Sequence, residues 1–207
     1  MAEEIGKIEK PLAEDFKKGR KLYFIPLIFC GDESPADYQE KFNDYWNQVE
    51  AQMENLELKL GKINKIYHEL VANGSEEGIN NIKELNNKSY QIAKNRLDKG
   101  AQIEATEESE LLTESMDWSR CLTTGLQNPN VFTRVYELYM EASKKRNEYI
   151  ARQIDETLKV DETGILFMRE GHQVQFPSDI QVFYVAPPTL DEIKRWLRDY
   201  ETKSSEK

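Results

Sequence analysis

The hydrophobic positions of this sequence change their period several times along the chain. Residues 22–30 form a continuous apolar run, rich in aromatic and β-branched side chains, which is typical of a buried strand. Between residues 38 and 60 the apolar side chains recur at steps of three and four, which predicts an amphipathic helix that ends at Gly61. Because Pro26 cannot donate to a strand ladder, the first strand is predicted to lie at an edge of the sheet or to break there.

The same two patterns alternate through the rest of the chain, and Thr189 with Glu192 matches a capping box at the start of the last helix. Strands that alternate with helices of this length imply parallel crossovers. We therefore predict an α/β fold with a mainly parallel sheet of about five strands and helices on both faces. The loop 170–179 is short for a parallel crossover and leaves an antiparallel arrangement of the last two strands open. The further strands are predicted at 65–71, 101–106, 164–168 and 180–185, and the further helices at 76–99, 108–126, 131–158 and from Thr189 onward.

Length and composition favour one folded unit. The chain has 207 residues, and a domain typically holds roughly 150. Hydrophobic residues make up 39% of the chain, which is enough to build a core. Residues 1–20 are highly charged and carry no periodic apolar pattern. We therefore predict a flexible N-terminal lead-in over 1–20 and a single α/β domain over 21–203.

Charge and cysteine usage narrow the range of partners and compartments. The net charge is −10, from 28 basic and 38 acidic residues, which disfavours a nucleic-acid partner. The apolar run 22–30 is far shorter than the roughly 20 residues that a membrane-spanning helix needs, so no membrane partner is expected. The chain has two cysteines, Cys30 and Cys121, and no secretory signal pattern, which indicates a cytoplasmic protein with reduced thiols. The sequence leaves open whether the chain forms a homo-oligomer.

Candidate chemistry lies at the carboxyl ends of the predicted strands, where open α/β sheets bind their ligands. His68 and Glu69 end the second strand, and Glu170 and His172 follow the fourth. These are the only 2 histidines of the chain. His68, Glu69 and His172 are of the types that bind a divalent metal, and a histidine with a glutamate can also supply a general base and acid. The simpler interpretation is that both histidines are polar residues leaving the core, and no HExxH or CxxC spacing supports a metal site.

One segment of the chain resembles a known family. Residues 146–154 read RNEYIARQI, and they are followed by the apolar strand 164–168 and then by Gly171-His172. This order resembles the C-terminal part of TraB/PrgY-like proteins, which are related in fold to the erythromycin-esterase and ChaN-like group. The sequence departs from the family pattern at residues 28–31, where a histidine is expected. It also places Gly171 directly before His172, whereas the family motif separates the two.

The resemblance implies an α/β fold with a polar cleft at the strand ends and, as in some relatives, metal-dependent hydrolysis. It implies that His172 and Arg146 are site residues, with Glu57 or Glu69 as the acidic partner. The expectation is a hydrolase, metal-assisted or esterase-like, that acts on a small molecule or a peptide. In it His172 is base or ligand, Glu69 and Glu170 are acid or ligand, and Arg146 stabilises a developing anion. The alternative is a non-catalytic interaction or regulatory protein on the same scaffold, as a degenerate member of the family.

Overall fold

A five-stranded sheet forms the centre of the part of the chain that the computed structural model describes, residues 18–205. Its strands are β1 (Arg20–Pro26), β2 (Lys65–His68), β3 (Gln102–Ile103), β4 (Thr163–Met168) and β5 (Ile180–Tyr184). The helices are α1 (Ala36–Leu60), α2 (Ser75–Leu85), α3 (Asn87–Asp98), α4 (Ser109–Thr123), α5 (Pro129–Thr157) and α6 (Pro188–Ser205). The strand order is β3-β2-β4-β1-β5.

Every strand pairing in this sheet is parallel, which confirms the α/β class and corrects the arrangement left open for the last two strands. An antiparallel pair is wrong because β5 does not pair with β4. It pairs with β1 on the opposite side, with Tyr23 beside Phe183. The chain therefore crosses β1 through the loop after β4, and Val174 and Phe176 of that loop pack onto the sheet. This loop covers the face of the sheet at β1, whereas helices cover the sheet in the other crossovers.

Successive residues of β1 point to opposite faces of the sheet, and each face has its own apolar core. Tyr23 and Ile25 pack with the buried side chains of α1, α2, α3 and α6. Leu22 packs on the other face with Ile150 and Ile154 of α5. Helices therefore cover both faces of the central strands, and β1 and β4 read as continuous apolar runs because both of their faces are buried.

The first strand is shorter and more central than its apolar run suggests. β1 ends at Pro26, which confirms the prediction that the strand breaks there. The carbonyl of Pro26 accepts a hydrogen bond of 2.5 Å from the Tyr45 hydroxyl. The edge prediction is wrong, because β1 lies between β4 and β5. Cys30 consequently lies in the loop beyond the strand. The chain also enters the sheet at Arg20, one residue earlier than predicted, while residues 1–17 of the predicted lead-in lie outside the described residues.

The helix predicted over 76–99 is two helices, separated by the buried residue Asn86. The Asn86 side-chain oxygen accepts from the backbone N–H groups of Lys88 and Ser89, at 3.0 and 3.1 Å, and so caps α3. Its Nδ2 donates to the carbonyl of Ile28 at 2.8 Å. Asn86 thus ties the loop after β1 to the start of α3.

The last three helices, α4, α5 and α6, differ from the prediction in where they begin or in how much of them is buried. α6 begins at Pro188, so Thr189 lies in its first turn and is not the N-cap. α4 packs against α5 and buries only Ser115, while the buried residues of α5 begin at Ala142. No helix of the described residues is long and apolar enough to cross a membrane.

Candidate functional site

Two glutamates and two arginines meet at the carboxyl ends of β2 and β4. Glu69 follows directly after β2 and Arg169 directly after β4, and these strands are neighbours in the sheet. Glu107 precedes α4, and Arg146 lies in the second half of α5. Because parallel strands end at the same edge, the turns after them lie side by side, which is where α/β folds place ligand sites. We refer to these four residues as the carboxylate–guanidinium cluster.

Arg146 connects the two carboxylates of the cluster. Its Nε donates to Oε2 of Glu107 at 2.8 Å, and its Nη2 donates to the other oxygen of Glu107 and to Oε1 of Glu69, the latter at 3.2 Å. Arg169 holds Glu69 from the other side, since its backbone N–H and its Nη2 each donate to a different oxygen of Glu69 at 2.8 Å. The contact on Glu107 is bidentate, which is the strong form of this interaction.

Burial and charge act in opposite directions on the cluster. The side chains of Glu69 and Glu107 are 3% and 0% exposed. Burial by itself raises the pKa of Glu69, but the hydrogen bonds from Arg169 and the charges of Arg169 and Arg146 outweigh it, so the pKa is lowered from 4.5. Burial lowers the pKa of Arg146, yet its contacts with Glu107 and Glu69 raise that pKa overall. Glu69 and Arg146 are therefore both ionised at neutral pH.

A cavity of about 510 Å³ lies beside the cluster. Glu69, Arg146 and Arg169 form its floor, and Ser115 of α4 and Ser143 of α5 form part of its wall. The hydroxyl oxygens of these two serines are 3.4 Å apart, so the two helices meet through polar side chains at this point. The cavity is thus a polar pocket at the strand ends.

Each arginine of the cluster keeps one nitrogen free of carboxylates. Nε and Nη2 of Arg146 and Arg169 donate to Glu69 or Glu107, whereas Nη1 of each has no hydrogen-bond partner in the described part of the chain. Nη1 of Arg146 is not among the buried unpaired atoms, and the side chain of Arg169 is 55% exposed. Neither Nη1 group is therefore both buried and unpaired, and both arginines belong to the lining of the cavity.

His172 lines the same cavity, as the sequence predicts for a site residue. Its ring lies against Phe24 and Phe176, with centroid distances of 4.9 and 5.8 Å. The backbone N–H of Val174 donates to its Nδ1 at 3.2 Å, which places the proton of the neutral ring on Nε2. Burial lowers the pKa of His172, which favours that neutral form. His172 consequently offers a donor, whereas the predicted base role requires a free acceptor.

His68 does not share this cavity. Its ring packs against Phe167 on the face covered by α1, α2, α3 and α6, whereas His172 packs against Phe24 on the opposite face. His68 is fully buried, and its ring nitrogens contact the Glu69 carbonyl at 2.6 Å and the Ser89 hydroxyl at 3.0 Å. Burial lowers its pKa to about 4. Side chains alternate between the faces along β2, so His68 lies on the face opposite to Tyr67, which packs in the same core as Phe24.

The other predicted carboxylates divide between site and scaffold. Glu170 lines the cavity, but its carboxylate is held by the Tyr184 hydroxyl and by Lys194 Nζ, the latter at 2.7 Å. Glu57 lies on α1 and pairs with the buried Arg96 of α3 at 2.9 Å, on the other face of the sheet. Of the two acidic partners that the family resemblance implies, Glu69 is the one beside Arg146.

The predicted metal set does not fit a metal ion. His68 is on the wrong face, and the oxygens of Glu69 accept from Arg146 and Arg169. Among the residues with described positions, no group of three or more His, Cys, Asp or Glu side chains can hold a metal ion. The structure does not bring His68, Glu69 and His172 together as joint ligands, and we derive no metal chemistry from them.

Two functional residues were not selected from the sequence. Arg169 and Glu107 both follow predicted strands, so the rule that ligands bind at strand ends includes them among the candidate residues. The rule does not indicate which of the many glutamates of this chain belong to a site. Ser115, Ser143 and Tyr139 reach the cavity from helices, and only the packing of those helices shows it.

A second cavity, of about 750 Å³, lies at the β3 edge between α2 and α3. Tyr90, Lys94 and Glu104 are among the residues that line it, and its lining contains none of the predicted site residues and no member of the cluster. Although it is larger, it lacks convergent buried charges, so we place the candidate site in the smaller cavity.

No family model matches the chain, and no curated protein and no solved structure is significantly similar to it.

Proposed function

We propose that the protein binds a small anionic ligand in the cavity beside the cluster and acts as a non-catalytic interaction or regulatory protein. The observation that carries the proposal is the pair of free Nη1 groups on Arg146 and Arg169 at one cavity. Guanidinium groups whose other nitrogens are fixed by carboxylates are rigid donors, and rigid donors favour carboxylate or phosphate binding. The N–H at Nε2 of His172 adds a third donor from the same cavity wall.

The protonation states favour binding over acid–base catalysis. A general base needs a lone pair that is free to accept a proton. Both oxygens of Glu69 already accept from guanidinium or amide N–H groups, and the lowered pKa of Glu69 makes it a weaker base still. His172 directs its Nδ1 lone pair to the backbone of Val174. The same groups are well suited to hold an anion in place.

The experiment is calorimetric titration of inorganic phosphate and citrate into the wild-type protein and into Arg169→Gln. Arg169→Gln removes one free Nη1 group while Arg146 still holds Glu69. A hydrogen bond to a charged group contributes about 1.5–3 kcal/mol, so we expect the variant to bind the anion roughly tenfold to a hundredfold more weakly. The matched control is Arg134→Gln, an exposed arginine of α5 that pairs with Glu137. It leaves the affinity unchanged.

Two results would contradict the proposal. One is a wild-type protein that binds neither anion at millimolar concentration. The other is an Arg169→Gln variant that folds like the wild type and binds as tightly. Circular dichroism of each variant separates a loss of binding from a loss of structure.

A hydrolase is the second proposal, favoured by one specific observation. Arg146, Glu69 and His172 line one cavity, which is the combination that the resemblance to TraB/PrgY-like proteins implies. In this version the Nη1 groups stabilise the anion that develops as a carbonyl or phosphoryl oxygen is attacked. A panel of aryl esters and aryl phosphates tests it. Turnover that Arg146→Gln abolishes and Arg134→Gln leaves intact supports a hydrolase, and no turnover above the buffer rate opposes it.

A further inference from the structure

The helix face that lines the cavity continues beyond it along α5. Successive helical residues are about 100° apart, so residues spaced by three, four and seven share a face. Phe132 and Tyr136 of the first half of α5 fall on that face, within the same third of the helix circumference as the cavity residues. The α5 residues that line the cavity are Tyr139, Met140, Ser143, Arg146 and Asn147.

This continuation is apolar and uncovered. Phe132, Tyr136 and Met140 are 45%, 47% and 36% exposed, and Met116 of the neighbouring α4 is 38% exposed. The rings of Phe132 and Tyr136 are stacked, with centroids 6.3 Å apart. We refer to Met116, Phe132, Tyr136 and Met140 as the apolar track. Contiguous exposed apolar side chains of this kind mark binding surfaces in folded proteins.

The track and the cavity form one surface, because Met116 and Met140 belong to both. One end of that surface carries the Nη1 groups of Arg146 and Arg169, and the other end is aromatic. From Arg146 to Phe132 the helix rises by about 21 Å, at 1.5 Å per residue. A ligand that covers this surface is therefore charged at one end and apolar over the rest of its length.

We propose that the ligand of this cavity is a free amphipathic anion, with a carboxylate or phosphate head at the two arginines and an apolar chain along the track. The inference rests on the proposed anion-binding function and adds the chemistry of the rest of the ligand. Two of the four track residues are methionines, whose flexible and polarisable side chains adapt to chains of different shape. The serines between head and track accommodate a polar linkage such as an ester or an amide.

The experiment is a chain-length series of monomeric linear carboxylates, acetate, decanoate and tetradecanoate, titrated by calorimetry below their micelle concentrations. Each methylene that leaves water contributes a transfer free energy that corresponds to about a fourfold change in affinity when it is fully buried. Because the track is half-exposed, we expect affinity to increase by roughly twofold per methylene. The titration of inorganic phosphate reports on the head site alone.

The variant that tests the track is the double substitution Phe132→Gln with Tyr136→Gln. Neither residue lines the cavity, and glutamine is a good helix former, so α5 is retained. We expect tetradecanoate affinity to fall towards that of decanoate while the affinity for phosphate changes less than twofold. The matched control is Leu58→Gln, an 85% exposed leucine of α1 on the other side of the sheet, which leaves the series intact.

The outcomes separate this inference from the function on which it rests. If wild-type protein binds phosphate but the carboxylate series is flat, the amphipathic ligand is wrong and the anion site stands. If phosphate does not bind either, the proposed function fails as well. If sedimentation equilibrium shows a dimer that the double variant dissociates, a second copy covers the track and the inference is overturned. Binding to phosphatidylglycerol vesicles without binding to free tetradecanoate also overturns it, because the track then docks on a lipid surface.

Discussion

Arg146 is the residue on which the cluster depends most. It is the guanidinium that contacts both buried carboxylates, and its own side chain is only 13% exposed. A buried ion pair contributes little net stability compared with an apolar pair of the same shape, but removing one partner is costly because the other charge stays buried. Function and stability are therefore coupled at this position.

We expect Arg146→Met to lower the free energy of unfolding by about 3–5 kcal/mol, because Glu107 then remains buried without a cationic partner. Urea denaturation followed by circular dichroism measures the change. Adding Glu107→Gln to Arg146→Met should restore part of the loss, since it removes the unpaired charge. Arg120→Gln, at a side chain that is 70% exposed, should cost less than about 0.5 kcal/mol. Equal losses for Arg146→Met and Arg120→Gln would show that the cluster is not a buried ionic network.

We expect His68 to make stability depend on pH in a defined window. Its pKa is lowered by burial from 6.5 to about 4, so below pH 6.5 the unfolded chain binds a proton that the folded chain does not. The resulting stability is complete above pH 6.5 and falls as the pH decreases towards 4, by about 3 kcal/mol in total. His68→Gln should flatten the profile between pH 4.5 and 7, measured by denaturation at each pH. Asn47→Gln, at an exposed position of α1 that does not titrate, is the control. Free energies of unfolding that depend as steeply on pH in His68→Gln as in the wild type would contradict the prediction.

At the scale of the element, α4 differs from the other helices in how little of it is buried. Ser115 is its only buried residue, whereas α1 buries five side chains, among them Tyr45, Trp46 and Val49. α4 is held mainly by α5 and forms a wall of the candidate cavity. Elements with few buried apolar contacts open locally at low cost, and such elements are suited to admit a ligand.

We expect the backbone amides of α4 to exchange with deuterium by local opening, well before those of α1 and β4. Hydrogen exchange read out by mass spectrometry tests this on the wild-type protein. If the cavity binds an anion, saturating phosphate should slow exchange in α4 and around Ser143 and Arg146 of α5, and leave α1 unchanged. Protection of α4 equal to that of β4 would contradict the prediction.

Element by element, the apolar patterns carry most of the fold. The long helix α1 follows from its period, and the strands β4 and β5 follow from short apolar runs that stop before loops. The boundary at Asn86 is missed because the apolar period continues through it. The interruption depends on a hydrogen bond from Asn86 to Ile28, which is remote in sequence. Local patterns contain no information about such a contact.

At the scale of the whole molecule, the parallel sheet determines which strand ends meet. β2 and β4 are neighbours although 94 residues separate the end of one from the start of the other, since His68 ends β2 and Thr163 begins β4. This neighbourhood brings Glu69 and Arg169 into contact. The molecule as a whole thus builds an ionic cluster where a metal centre was expected.

We expect metal chelation to leave the molecule unchanged. EDTA should not shift the melting temperature of the purified protein, and added Zn²⁺ should not raise it, because the Glu69 oxygens and the His68 nitrogens already have protein partners. Differential scanning calorimetry measures both. If Zn²⁺ raises the melting temperature of the wild type but not that of His172→Ala, the prediction is wrong and a metal site is supported.

The sequence by itself determined the α/β class, the helical and strand periods, and the strand-end segments from which any site would be built. Those properties are local, since each depends on side chains that are close together in the sequence. It also drew attention to Glu69, Arg146 and His172, which the structure brings to one cavity.

Only the tertiary structure decided what these residues do together. The partnership of Glu107 with Arg146 and the parallel pairing of β5 with β1 join segments that are far apart in the chain. Both depend on the order of the strands in the sheet. Strand order is set by the burial of both apolar faces over the whole chain, so it cannot be predicted from any single segment of the sequence. For the same reason the protonation of Glu69 and the free Nη1 groups could be read only after the chain had folded.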